Sequence, residues 1–273
     1  MQRFGSWPAW IVLALFFVAP LLALLPEAGG NGGRAFLQLA ADSLFWTGLR
    51  NTVLLGVVSG AVSAVVGAVL AVELARQPPQ RRVWMMTLLG LPLAFSGLVI
   101  AYGFILAFGR AGFVTQILAL AGADPAEVGS WIYTVWGLAL AYAYYLIPRV
   151  ALTVYPIFAN LDMRPIEAAR TMGASRIRAA LDVIVPEVLP SIFSAGCVVS
   201  AIAMGTYGTA LALVGTQVNI LPLLLYQKVS DSGSDFSGAA ALSLVLLLCC
   251  SIFMGIGDSV VRRRERKLHP GHD

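Results

Sequence analysis

Residues 165–186 read PIEAARTMGASRIRAALDVIVP, a polar stretch with helix-forming residues that lies between two long apolar blocks. Asp162 can cap a helix here, Pro165 suits its first turn, and Gly173 suits its end. The adjacent residues Ala168 and Ala169 have small side chains, so this helix can lie close to a neighbouring surface. The first half of the stretch therefore predicts a short helix that a partner can receive in a groove.

The second half of the stretch predicts another helix. Ser175 is a suitable N-cap for residues 176–184, and Pro186 marks the entry into the next apolar block. Together, the two halves predict a helix–turn–helix elbow in water over residues 162–186.

The composition points to lipid as the solvent of the remaining chain. Of its 273 residues, 59% are hydrophobic and 12% are charged, whereas a soluble domain carries roughly a quarter charged residues. The apolar residues form blocks near the roughly 20 residues that cross a bilayer as a helix. We therefore predict an all-α polytopic membrane protein with about six transmembrane helices. The predicted spans are residues 8–25, 52–74, 85–108, 131–155, 188–214 and 238–256.

The segments between these spans contain helix breakers. Residues 26–51 include Glu-Ala-Gly-Gly-Asn-Gly-Gly and are predicted to form an external loop. Residues 113–121 are too short to cross and are expected at the interface. Residues 215–237 are predicted to be the last external loop, with a short apolar piece at 220–226.

Small residues and prolines predict how some spans pack and bend. Gly56, Gly60, Ser63 and Gly67 recur every three or four residues, which predicts close helix packing. In the third span, Pro92 and Gly97 are expected to bend the helix.

The lysines and arginines predict the orientation of the chain. Thirteen lie on one side of the predicted spans and four on the other, and Arg149 lies within a span. The positive-inside bias then places both termini and the elbow in the cytoplasm. Arg149 is expected to extend to the inner interface.

The elbow resembles the signature of the integral membrane subunits of type I ABC importers. That signature runs Glu-Ala-Ala, three residues, Gly, nine residues, Ile-x-Leu-Pro. The chain matches its spacing with Glu167-Ala168-Ala169, Gly173 and Val183-Ile184-Val185-Pro186, and has valine in place of the isoleucine and the leucine. The resemblance covers residues 48–258, a permease core preceded by an N-terminal helix and loop (1–47) and followed by a basic tail (259–273).

The resemblance implies an ATP-coupling role for the elbow. In this family the elbow is the coupling helix, which sits in a cleft of an ATPase subunit. The resemblance assigns the coupling role to Pro165, Glu167, Ala168, Ala169, Arg170, Gly173, Ser175 and Pro186.

It also implies a bacterial inner-membrane localisation and a set of partners. These are a second permease subunit, identical or related, two ATPase subunits, a soluble substrate-binding protein and membrane lipid. The chain itself is expected to bind no cofactor, because ATP and Mg would be held by the ATPase subunits.

The stretch from Gly205 to Ala210 is predicted to interrupt the fifth span beside an aqueous path. It resembles the Glu-Phe-Gly-Thr-Pro stretch of polyamine- and iron-related permeases, with Thr206 at the acidic position and Ala210 at the proline. That resemblance favours polyamine, but the predicted membrane core lacks carboxylates, so zwitterionic or anionic solutes such as phosphonates rank close behind. The candidates for lining the path are Tyr102, Tyr142, Tyr145, Thr206 and Tyr207, although such tyrosines are more often buried between helices.

Other function classes lack their sequence features. The chain has no phosphate-binding Gly-x-x-x-x-Gly-Lys-Ser/Thr run, no cluster of nucleophile and base, and no cysteine spacing typical of a metal site, so we expect no catalytic or metal-binding residue. Its basic residues are dispersed, which argues against nucleic acid. An ion-coupled secondary carrier is the alternative, but both histidines lie in the tail.

Overall fold

The computed structural model describes residues 7–29, 33–162, 164–173, 175, 178, 180–215, 217–230 and 235–268. None of these residues lies in a β-strand. Six of the described helical segments are long and apolar enough to cross a membrane. They are Trp10–Gly29, Ser43–Arg76, Gly97–Leu120, Val135–Ala159, Val185–Gly205 and Phe236–Arg264. The predicted all-α fold with six spans is confirmed.

The α-helices are numbered in chain order over the described residues. They are α1 (Trp7–Leu13), α2 (Ala19–Gly29), α3 (Arg34–Ala41), α4 (Ser43–Arg76), α5 (Pro79–Ala94), α6 (Gly97–Phe108), α7 (Phe113–Leu120), α8 (Pro125–Val128), α9 (Val135–Ala159), α10 (Arg164–Thr171), α11 (Val185–Gly205), α12 (Gly208–Val214), α13 (Leu221–Ser230) and α14 (Phe236–Leu268). A π-helical turn joins α1 to α2, and another precedes α11.

The chain divides into two compact units. One lies within residues 1–52 and 219–248, and the other within residues 53–218 and 249–273. The predicted division into an N-terminal segment, a permease core and a basic tail is a division by function and stays a prediction.

In the first unit, both segments predicted as external loops contain helices, and the second candidate span begins at Ser43 rather than at residue 52. Their external position stays a prediction. Within residues 26–51, α2 continues to Gly29, α3 follows, and α4 starts at Ser43, where Asp42 Oδ1 accepts a hydrogen bond from the amide of Leu44 (2.9 Å). Within residues 215–237, the short apolar piece belongs to α13. These helices form because their apolar faces share one core. That core contains Ala28, Ala35, Leu39, Phe45, Leu221, Leu224, Ala240, Ala241 and Leu242.

Polar side chains of α4 hold the start of α13 within the same unit. Thr52 Oγ1 accepts a hydrogen bond from the amide of Leu221 (2.8 Å), and Asn51 Nδ2 donates to the carbonyl of Asn219 (2.9 Å). Thr52 is buried, so these bonds satisfy polar groups that would otherwise be unpaired away from water. The two residues thus have a structural role that the sequence pattern alone did not indicate.

In the second unit, the predicted packing face of α4 is confirmed. A Cβ built on Gly56 would lie 2.6 Å from the Met204 side chain, and one on Gly67 would lie 2.7 Å from Val150 Cβ. A Cβ on Gly60 would collide with the Ser200 hydroxyl. The small residues therefore allow α4 to approach α9 and α11 closely.

Two predicted spans differ from the observed ones. The third was predicted as one bent span over residues 85–108, but its helix stops at Ala94 and restarts at Gly97, with Ser96 Oγ accepting from the amide of Val99 (3.4 Å) as a cap. By length and hydropathy, the candidate span Gly97–Leu120 includes α7, and the expected interfacial position of residues 113–121 stays a prediction. The fourth span starts at Val135 instead of residue 131, because Thr134 Oγ1 caps α9.

Candidate coupling elbow and translocation path

The first helix of the elbow, α10, starts as the sequence predicts. Asp162 Oδ1 accepts a hydrogen bond from the amide of Arg164 (3.0 Å) and another from its guanidinium Nε (3.0 Å). These donors, the amide first, lower the pKa of Asp162, so the cap is ionised at neutral pH and weakens only when the pH falls through that lowered value. Pro165 and Glu167 lie in the first turn, where proline fits and a negative charge is favourable.

The side chains of α10 divide into an inner and an outer set. Ile166 is buried (8% exposed), whereas Glu167 and Ala168 are exposed and Ala169 is half-buried. The helix packs against the π-helical turn Ala180–Ile184. Sequence reasoning missed Ile166, although an apolar residue in the first turn of an otherwise polar helix is a usable signal for an anchor. The outer set is left free for a partner.

The turn after α10 depends on Gly173. Its φ of +90° lies in the left-handed region, and a Cβ built on it would have nothing within 4 Å. The glycine is therefore required by the backbone conformation and not by a close neighbour. Arg170 lies in α10, and Ser175 Oγ accepts from the amide of Arg178 (3.3 Å), which fits its predicted capping role. The predicted second helix, residues 176–184, lies partly outside the described residues.

The elbow runs directly into the fifth span. The π-helical turn Ala180–Ile184 continues into α11, with Pro186 in its first turn. The guanidinium of Arg264, near the end of α14, donates a hydrogen bond to the carbonyl of Glu187. A displacement of this π-helical turn would therefore act directly on α11.

Large apolar side chains of the elbow are exposed, Met172 and Leu181 among them. Met172 is 82% exposed and Leu181 is 56% exposed. Exposed apolar side chains beside Glu167 and Ala168 give the elbow the mixed character of a protein–protein contact surface. Neither residue was among the predicted coupling residues.

The predicted interruption of the fifth span is present. Helix α11 ends at Gly205, Thr206 has an extended backbone, and α12 starts at Gly208. The hydroxyl of Tyr142 donates to the carbonyl of Thr206 (2.8 Å), and the hydroxyl of Tyr145 donates to Thr206 Oγ1 (3.2 Å). Tyr142 thus satisfies a backbone carbonyl that the interruption leaves without a helical partner, and Tyr145 holds the Thr206 side chain.

The five predicted path residues do not form one group. Tyr142, Tyr145 and Thr206 lie together. Tyr142, however, is fully buried and supports the interruption, as expected for a tyrosine packed between helices rather than one lining a path. Tyr102 is 55% exposed on α6 and makes no hydrogen bond to this group. Tyr207 is half-buried within the interruption. Tyr145 and Thr206 also line a cavity of about 210 Å³, which includes Arg149.

Arg149 lies well inside α9, because the helix extends beyond the predicted span to Ala159, and its expected position at the inner interface stays a prediction. Arg149 comes fourteen residues after Val135 and ten before Ala159. At 1.5 Å per residue it lies about 21 Å from one end of the helix and about 15 Å from the other. It is therefore an exposed charged residue within a helix that is long and apolar enough to span the membrane.

Comparisons with known proteins agree with this fold. The family described as "Binding-protein-dependent transport system inner membrane component" matches residues 63–266. The chain is 28% identical to "Sulfate permease 2, chloroplastic" of Chlamydomonas reinhardtii over 86% of this chain and 63% of the relative, so it spans less than two thirds of that protein. It is 27% identical to the sulfate transport system permease protein CysW of Synechocystis sp. over 89% of each.

A solved structure shows the same fold. The chain superposes with a TM-score of 0.74 on a chain of the crystal structure titled as a bacterial alginate ABC transporter in complex with an alginate pentasaccharide-bound periplasmic protein. The match covers 94% of this chain and 92% of the other at 17% identity. The chain belongs to the inner-membrane components of binding-protein-dependent transport systems, and is a multi-pass permease subunit of a type I ABC importer in which separate subunits hydrolyse ATP.

Proposed function

We propose that this permease subunit forms half of the membrane path for a small tetrahedral oxyanion, such as sulfate or a phosphonate. The observation that carries the proposal is the distribution of charge along the described spans. Their carboxylates lie within about two turns of a span end, at Glu27, Glu73, Glu187 and Asp258, whereas Arg149 lies deep within α9. A path that offers a cation and no acid at depth favours an anion.

The same distribution disfavours a polyamine. A polycation would lose its hydration in the spans without gaining a carboxylate in the described part of the path. The related proteins point the same way, since the names of the Chlamydomonas and Synechocystis permeases give sulfate as their solute. Sulfate and phosphonates share a tetrahedral group with several acceptor oxygens, which suits a guanidinium.

The elbow would couple transport to ATP hydrolysis. Its outer surface, formed by Glu167, Ala168 and Met172, would enter a cleft of an ATPase subunit, and α11 would transmit the movement to the interruption at Thr206. Two ATPase subunits would hold ATP and Mg, and this chain would hold no cofactor. A second permease subunit, identical or related, and a soluble binding protein would complete the importer, with both termini and the elbow in the cytoplasm.

The substrate proposal is tested on the soluble binding protein that works with this chain. We expect the purified binding protein to bind sulfate or a phosphonate by isothermal titration calorimetry, and to release that anion for mass spectrometry when it is unfolded. Putrescine and spermidine serve as matched ligands of opposite charge. Binding of the amines without binding of either anion would contradict the oxyanion assignment.

A further inference from the structure

A cavity lies where the interruptions of the third and fifth spans meet. Phe95 lies in the gap between α5 and α6, Gly97 is the first residue of α6, and Thr206 lies in the gap between α11 and α12. Helices α6 and α12 pack against each other, and a Cβ built on Gly97 would collide with the hydroxyl of Thr209. The cavity volume is about 210 Å³, below the roughly 300–1,000 Å³ of sites for drug-sized ligands. It suits a small ion with some of its water.

Arg149 is the charged residue in the lining of this cavity. Its guanidinium makes no hydrogen bond or ion pair with any other residue that the structure describes. A lone arginine at the centre of a spanning helix costs about 2.5–3.5 kcal/mol on insertion scales, and such residues pair with a partner or mark a path. The side chain carries five donors in a planar fork, which match the oxygens of an oxyanion.

Further donors surround the same space. The hydroxyl of Tyr145 points to Thr206 Oγ1 at 3.2 Å, and Thr206 Oγ1 itself donates to the carbonyl of Ile202 (2.7 Å). Helix α6 begins at Gly97 with twelve residues, so its positive end lies at the cavity wall. An anion at this point would meet the full positive charge of Arg149 and a helix start, and the phenol of Tyr145 would donate to it by turning away from Thr206 Oγ1.

Arg149 is also reachable from a second cavity. This cavity, of about 250 Å³, lies between α9, α11 and α14, and its mostly apolar lining also includes Thr153, Ser191 and Ser194. Arg149 thus lines both cavities.

We propose that Arg149, Tyr145 and the start of α6 at Gly97 form a binding subsite for the transported oxyanion within this chain, which rests on the proposed function. The ion leaves the binding protein, displaces water from the cavity, and is held by the guanidinium at the level of the two interruptions. No covalent step is involved. The site adds recognition within the membrane to the recognition made by the binding protein.

The test uses the assembled importer in liposomes, with radiolabelled sulfate as the probe. We expect Arg149→Gln to raise the KM for uptake at least tenfold, and Arg149→Lys to recover part of the loss because it keeps the charge but not the fork. Arg110→Gln removes the same charge from an exposed turn and should leave the KM unchanged. Sulfate uptake by Arg149→Gln at the wild-type KM would overturn the subsite.

Two further readouts separate the subsite from folding and from the proposed function. If the Arg149→Gln permease captures the ATPase subunits, the variant importer is assembled. If it captures none, the Tyr145→Phe variant is measured instead, and we expect its KM for sulfate to rise severalfold. An unchanged KM for Tyr145→Phe would contradict the subsite. If the wild-type importer transports sulfate and neither variant changes its KM, the subsite fails and the function stands. If the wild-type importer takes up amines and no oxyanion, the proposed function fails, and the subsite with it.

Discussion

A Gly173→Val substitution is expected to reduce ATP-driven uptake by roughly tenfold or more, whereas Gly173→Asn retains most of it. The backbone φ of +90° at Gly173 is strained for a β-branched residue and is better tolerated by asparagine. Strain of this kind costs about 1–3 kcal/mol, and each 1.4 kcal/mol changes an equilibrium constant, here that of the elbow conformation, about tenfold. Since a Cβ at this position meets no atom within 4 Å, the difference between the two variants isolates the backbone conformation.

The measurement combines uptake into liposomes with capture of the ATPase subunits by the tagged permease. We expect Gly173→Val to insert into the membrane normally and to lose the ATPase, because the elbow no longer presents α10 in the same orientation. Glu167→Gln is a complementary variant. Because this side chain is exposed, removing its charge should affect the contact with the ATPase subunit and not the fold of the permease. Normal uptake by both Gly173→Val and Glu167→Gln would refute the coupling role of the elbow.

A Gly60→Leu substitution is expected to prevent correct packing of the membrane helices. A Cβ at Gly60 would collide with the Ser200 hydroxyl and lie 3.0 Å from the carbonyl of Gly196, so α4 and α11 must separate. Overpacking of a core costs about 1–3 kcal/mol or more, and each kcal/mol lowers the Tm by about 2–4 °C for a chain of this size. The added side chain cannot be accommodated by a side-chain rotation alone, because one of the atoms it meets, the Gly196 carbonyl oxygen, belongs to the backbone.

Thermal unfolding in detergent and the yield of monodisperse protein measure this effect. Gly255→Leu is the matched control, because Gly255 lies in α14 and a Cβ there has nothing within 4 Å. We expect Gly255→Leu to behave as the wild type and Gly60→Leu to unfold at a lower temperature with a much lower yield. Equal Tm values for the two variants would contradict the close approach of α4 to α11.

Local signals were enough to predict several of these features. The cap at Asp162 and the stop at Gly173 follow from residue types whose backbone and side-chain preferences act within one turn. The packing face of α4 follows from the spacing of its glycines, and the interruption at Thr206 follows from adjacent residues that weaken a helix. In each case the physical cause lies within a few residues of the signal.

The remaining features depend on contacts between distant parts of the chain. The glycine-rich residues before α3 led to the prediction of a loop. The helix forms because it packs into a core shared with α13 and α14, which are distant in sequence. The pairing of Tyr142 with Thr206 joins residues 64 positions apart. The depth of Arg149 depends on where α9 ends, and helix ends shift easily with tertiary packing.

The most direct test of the account is uptake of radiolabelled sulfate by liposomes that contain the importer assembled with this chain. We predict that uptake requires both the loaded binding protein and ATP hydrolysis, and that it stops when ATP is replaced by a non-hydrolysable analogue. Uptake that persists without ATP and follows an imposed proton or sodium gradient would contradict the account.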